Sequence, residues 1–162
     1  MRKATSSRLA VELLEDRCVP AGQLDTSFSG DGIVTANLGG RAEHSSAIAV
    51  YADASGPNQG KLVIAGNYDT TIKGLDIIVR RYNANGTLDT TFSGDGVATA
   101  ALSSYHDTAA DVLIQPDGKI LVGGTTAAAR HQDFVLLRYN SNGSLDKSFG
   151  GSGQVQTNFI GQ

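Results

Sequence analysis

Three observations predict an all-β fold made of tandem four-stranded antiparallel units. A nine-residue phrase recurs along the chain. Short β-branched runs alternate with Gly, Asn and Asp clusters. No helical periodicity appears beyond the first twenty residues. The phrase is Leu24-Asp25-Thr26-Ser27-Phe28-Ser29-Gly30-Asp31-Gly32, which returns as Leu88-Asp89-Thr90-Thr91-Phe92-Ser93-Gly94-Asp95-Gly96. A looser copy is Leu145-Asp146-Lys147-Ser148-Phe149-Gly150-Gly151-Ser152-Gly153. Leu24, Leu88 and Leu145 stand 64 and then 57 residues apart. Repetition at that period marks one supersecondary unit copied in tandem, each copy completing its core on a neighbour.

Four runs make up each unit. A Val/Thr run opens it, Ile33 to Leu38 and again Val97 to Leu102. An Ala/Val run follows, Ala47 to Val50 and Ala109 to Val112. Lys61-Leu62-Val63-Ile64-Ala65-Gly66 matches Lys119-Ile120-Leu121-Val122-Gly123-Gly124. The last run, Asp76 to Tyr82, matches Asp133 to Tyr139. Four-stranded sheets are therefore expected near residues 33–83 and 97–140, with first-strand fragments of a third unit after Phe149. Asp117-Gly118 reads as a two-residue hairpin of type I′, and Asn85-Gly86 and Asn142-Gly143 carry the same chemistry. The first copy is longer because Tyr51 to Gly60 replaces Gln115-Pro116-Asp117-Gly118; repeats tolerate insertion in turns.

Tight turns make the sheets antiparallel, yet Leu62-Val63-Ile64, Ile120-Leu121-Val122 and Phe134-Val135-Leu136-Leu137 are apolar on both faces. An antiparallel sheet with one wet face alternates instead. Sheets stacked between neighbours, as blades of an incomplete β-propeller, fit the pattern. A β-sandwich is the alternative, and it would keep its outer faces polar.

The residues Gln115-Pro116-Asp117-Gly118-Lys119-Ile120-Leu121-Val122-Gly123-Gly124, Asp133-Phe134 through Arg138-Tyr139-Asn140, Asn142-Gly143-Ser144-Leu145-Asp146 and Phe149-Gly150 resemble the delta-60 repeat. The resemblance covers about residues 22 to 162 and implies propeller blades. It carries no catalytic signature.

Residues 1–21 lack the repeat pattern and read as a leader or targeting segment, with 22–162 as the repeat region. The start is basic, and Val19 and Ala21 suit a small-residue cleavage site, but Glu12, Glu15 and Asp16 interrupt the apolar stretch. Leu14-Glu15-Asp16-Arg17-Cys18-Val19-Pro20-Ala21 resembles the leader of large surface or secreted proteins of planctomycete bacteria. A secreted or cell-surface location is the expectation, with a disordered amphipathic tail as the other reading. These residues are expected to be dispensable for the stability of the repeats.

A net charge of -3 gives no electrostatic case for nucleic acid. No apolar stretch approaches a membrane span. Cys18 is the single cysteine, so no intramolecular disulfide can form.

Candidate chemistry is sparse. The Asn-x-Asn-Gly turns mimic part of a calcium loop, but the alignment puts Arg81 at the first ligand position and Phe92 at the last. Asp31 and Asp95 could hold calcium through Ser-Gly-Asp-Gly turns, although Ser152 replaces that Asp in the third copy. His44 and His106 read as equivalent inter-strand loop residues, and with Asp107 they fall short of a zinc set. The expectation is no cofactor and no catalytic residue. Asp25, Asp89 and Asp146 are expected to accept backbone N–H groups in their turns. Arg81 and Arg138 are expected to pair with a turn Asp. Phe28, Phe92 and Phe149 should pack beneath those turns, and Tyr82 and Tyr139 between sheets with their hydroxyls reaching a partner.

Function follows as a non-enzymatic exported repeat module for binding, adhesion or surface architecture, with an unknown extracellular ligand. The alternatives are a fragment of a propeller lyase or glycosidase, and a truncated product without independent function. Terminal sheets should expose apolar faces, so the partners expected are further blades or a second copy.

Overall fold

A computed structural model describes residues 22–52, 56–70, 74–128 and 131–158. The leader reading of residues 1–21 lies outside the described residues.

Among the described residues, eight strands form two sheets. The first contains β1 (Glu43–Val50), β2 (Leu62–Asp69), β3 (Leu75–Tyr82) and β4 (Val97–Ala100), side by side in chain order. The second repeats this with β5 (Asp107–Ile114), β6 (Ile120–Ala128), β7 (His131–Tyr139) and β8 (Gln154–Thr157). Every neighbouring pair is antiparallel. β1 and β5 each carry a register shift, between Ser45 and Ala47 and between Ala109 and Asp111. The antiparallel, all-β blade architecture is as the sequence predicts.

The phase of the unit differs from the sequence reading. The Val97 run does not open the second sheet. It closes the first, with Val97 opposite Arg80 and Ala100 opposite Ile77. Likewise Gln154–Thr157 closes the second sheet rather than beginning a third. Sheets therefore span 43–100 and 107–157, not 33–83 and 97–140. The Leu-Asp-x-x-Phe phrase is a link inside a sheet, between its third and fourth strands. A linear repeat leaves its own starting point open, and only strand pairing fixes it.

The hairpins also differ from the type I′ reading. Gly118 N donates to Gln115 O and Gln115 N to Lys119 O, enclosing a three-residue loop. Gly118 has φ of 80°, whereas Asp117 is not in the left-handed region. This is a type I turn followed by a left-handed glycine. Asn83 to Thr87 and Asn140 to Ser144 close in the same way.

Lateral pairing sorts the side chains into faces. Val63, Ala65, Ile77, Val79, Ala98 and Ala100 share one face of the first sheet. Val112, Ile120, Val122, Val135, Leu137 and Tyr139 share one face of the second. These two faces meet in a single buried cluster. The opposite faces carry the remaining apolar residues of the double-faced runs: Ile48, Leu62, Ile64 and Ile78 on the first sheet, Leu113, Leu121, Leu136 and Val155 on the second.

Candidate functional site

The repeated polar residues converge on a clamp at the link between the third and fourth strands. Asp89 accepts Arg81 Nε at 2.7 Å and Lys61 Nζ at 2.7 Å through Oδ2. Its other oxygen accepts Thr91 N at 3.1 Å and Thr91 Oγ1 at 2.7 Å. The second unit copies each part. Asp146 accepts Arg138 Nε at 2.8 Å, Lys119 Nζ lies 3.1 Å away, and Ser148 donates twice. Burial alone raises the Asp89 carboxyl, but hydrogen bonds from Lys61 and Thr91 and the Arg81 charge outweigh it. Asp89 is thus held well below the usual carboxylate range. Ser148 does most to lower Asp146, with Lys119 and Arg138 adding to it.

The guanidinium is positioned by aromatic stacking as well. Arg81 Cζ lies 4.9 Å from the Phe92 ring centroid, and Arg138 Cζ lies 4.6 Å from that of Phe149. Arg81 is 1% exposed, and its Nη1 donates to Ser141 O in the next unit. Arg138 meets no further unit among the described residues, and its side chain is 20% exposed.

A second motif latches one unit onto the next. Ser93 N donates to Asn142 O at 2.8 Å, and Ser29 N donates to Asn85 O at 2.8 Å. Ser29 and Ser93 both hold φ at 56°, which turns their N–H groups towards the following unit. Gly143 lies under this contact with φ of 88°, and a Cβ there would meet Ser93 N at 2.5 Å. Residues 24–38 therefore sit on the first sheet as residues 88–102 sit on the second. Further seam bonds run from Tyr51 OH to Gly118 O at 2.9 Å and from Ala109 N to Asn67 Oδ1 at 2.7 Å.

The candidate ligands found in the sequence take local roles. Asp31 Oδ1 accepts Ile33 N, and Asp95 Oδ1 accepts Val97 N, each at 2.9 Å. His44 and His106 are not equivalent. Glu43 and Asp107 are the matched pair, since each accepts the N–H of a linker leucine, Leu38 or Leu102. His44 therefore lies inside β1, and His106 precedes β5, where its Nδ1 accepts Leu75 N at 3.2 Å. Asp107 is filled by Leu102 N, Ser103 N and Thr126 Oγ1. Among the described residues, no three His, Cys, Asp or Glu gather as a metal site. Contrary to expectation, the Tyr139 hydroxyl finds no hydrogen-bond partner among the described residues, and its burial raises its pKa.

Sequence reasoning missed Arg80. It stands where the second unit has Leu137, and it lines a cavity of about 390 Å³ over the first sheet with Phe28, Val34, Ile48 and Ile64. Its Nη2 pairs with Glu43 at 2.8 Å, and its buried Nε has no partner among the described residues. Within an apolar run of repeat residues, the signal was this single departure between copies.

Residues 60–92 and 115–149 match a family described as a domain of unknown function, DUF5122, of the beta-propeller type. These two units are DUF5122 repeats. The matched stretches hold both clamps complete: Lys61, Arg81 and Asp89 in one, Lys119, Arg138 and Asp146 in the other. The delta-60 resemblance points to the same repeat. No curated protein matches the chain.

Proposed function

We propose that the DUF5122 repeats of this chain form an exported module for binding, adhesion or surface architecture, without catalysis of its own. The observation that carries the reading is the use made of the most distinctive polar side chains. Lys61, Arg81 and Asp89, and their copies in the second unit, are engaged with one another, with turn hydroxyls and with backbone. A recurring constellation committed to turn structure serves the stacking of units. Support for export comes from residues 1–21, through the basic start and the Leu-Glu-Asp-Arg-x-x-Pro-Ala run.

Fractionation of a planctomycete host expressing the tagged full chain tests the location. The expected result is protein at the cell surface or in the medium, and retention in the cytoplasm after replacement of Arg2 and Lys3 by Glu. Full-length protein confined to the cytoplasm in both cases would overturn the reading.

A further inference from the structure

We propose that the outer face of the second sheet docks the first sheet of another copy of this chain, and that residues 24–38 compete for that seat. The proposal deepens the reading of a stacking module and rests on the repeat architecture alone.

The internal seam is the template. Matched through strand register, which shifts the first strand by two residues from the sequence match of Ala47 with Ala109, Ala49, Val63, Val79 and Ala98 of the first sheet correspond to Leu113, Leu121, Leu136 and Val155 of the second. In the first sheet this face is covered, with Val63 and Val79 fully buried against the second sheet. In the second sheet the same face is open, with Leu113 58% and Leu136 40% exposed. The residues that cover the first face are Val112, Ile120, Val122 and Val135. Their counterparts in the first sheet are Ile48, Leu62, Ile64 and Ile78, which lie on its outer face. Ile48 is 61% exposed.

Among the described residues the two sheets thus present two different outer faces, each the counterpart of one side of the seam between them. Such a contact is heterologous: one copy's second sheet meets the next copy's first sheet. An isologous pairing of two second sheets would have no template in the fold.

One element stands in the way. Residues 24–38 already place the Phe28 turn and the extended run around Val34 over the first sheet, latched by Ser29 N to Asn85 O. An incoming second sheet would bring residues 145–157 to the same place. The resident segment fills only part of the seat, as the cavity beneath Phe28 and Val34 shows. Ile33–Leu38 pairs with no strand among the described residues. A full sheet covers more apolar surface than this single segment does, so association favours the incoming copy.

The test uses full-length chains in analytical ultracentrifugation, with circular dichroism to confirm that each variant keeps its fold. Leu136→Asp closes the second-sheet face, and Ile48→Asp closes the first-sheet face; both positions are exposed, which spares the core. Each variant alone is expected to be monomeric at concentrations where the unaltered chain associates. Mixed one to one, they are expected to form a dimer and nothing larger, because one good face remains on each. Ser29→Pro removes the latch N–H and is incompatible with the positive φ. It is expected to tighten association of the otherwise unaltered chain about tenfold. A dimer of Ile48→Asp alone would mean second sheets pair with each other and overturn the proposal. So would a mixture that stays monomeric, or an unaltered chain and a Ser29→Pro chain that both remain monomers. A cytoplasmic location would defeat the export reading and leave this result untouched.

Discussion

The Asn67 side chain accepts the backbone N–H of Ala109 at 2.7 Å, across the seam between the two sheets. Ala109 lies at the register shift of β5, where the ladder to β6 is interrupted. A bulge leaves a backbone group unpaired, and here the neighbouring sheet supplies the partner. Asn67 is buried, so the bond is made away from water.

Asn67→Ala is therefore expected to cost about 1–3 kcal/mol, the penalty for a buried donor left unsatisfied. Thr125 occupies the equivalent place in the second sheet, and its hydroxyl meets Thr108 Oγ1 at the partly buried surface, 2.8 Å away. Thr125→Ala should cost about 1 kcal/mol or less. Urea unfolding of the two variants measures the difference. Equal losses would show that the bulge N–H is satisfied by other means.

Asp89 holds two cations, and Arg81, one of them, is the largest fully buried side chain among the described residues. Removing the carboxylate in Asp89→Ala strands Arg81 without its counter-charge, at a cost of about 3–5 kcal/mol. Lys61→Ala leaves the Arg81 pair intact, and its cost should stay within about 1 kcal/mol. Thermal melts of both variants give the comparison. A Lys61 effect as large as that of Asp89 would place the weight of the clamp on the lysine.

Acid should loosen the fold through the same carboxyls. Asp89 and Asp146 sit below the usual range when folded, while an unfolded Asp takes its proton near pH 4. The unfolded chain then binds more protons, so stability falls as pH falls from about 5 towards 2. Asp76 acts in the opposite sense, because burial and the nearby Asp107 raise its pKa. The urea midpoint is expected to drop across this window, with a shallower drop in the Asp89→Asn, Asp146→Asn double variant. An unchanged slope in that variant would mean that other groups control the acid limb.

Two glycines of the second unit should respond in opposite ways to alanine. Gly143→Ala forces a Cβ to within 2.5 Å of Ser93 N at a left-handed φ, so both the turn and the latch suffer. A loss of more than about 1 kcal/mol is expected. Gly123 has no positive φ, and a Cβ there would meet only Leu136 Cδ2 at 3.6 Å. The first unit already carries Ala65 at that place. Gly123→Ala is expected to be neutral or to gain up to about 1 kcal/mol from reduced unfolded-state entropy. Chemical denaturation of the pair separates the two cases.

Read alone, the amino-acid sequence determined the repeat, the all-β class, the stacking of sheets and the pairing of Arg81 and Arg138 with a turn aspartate. Each of these depends on residue type and local spacing. Arg81 and Asp89 lie eight residues apart around one link, so their pairing could be read from the recurrence of both. The tertiary structure decided which strand closes which sheet, because a tandem pattern has no inherent first strand and hydrogen-bond register alone sets the boundary. It also separated His44 from His106, since the match of Glu43 with Asp107 rests on their bonds to the linkers. Asn67 and Arg80 were hidden for the same reason: each matters through what a neighbouring sheet or strand brings to it, and no spacing along the chain encodes that contact.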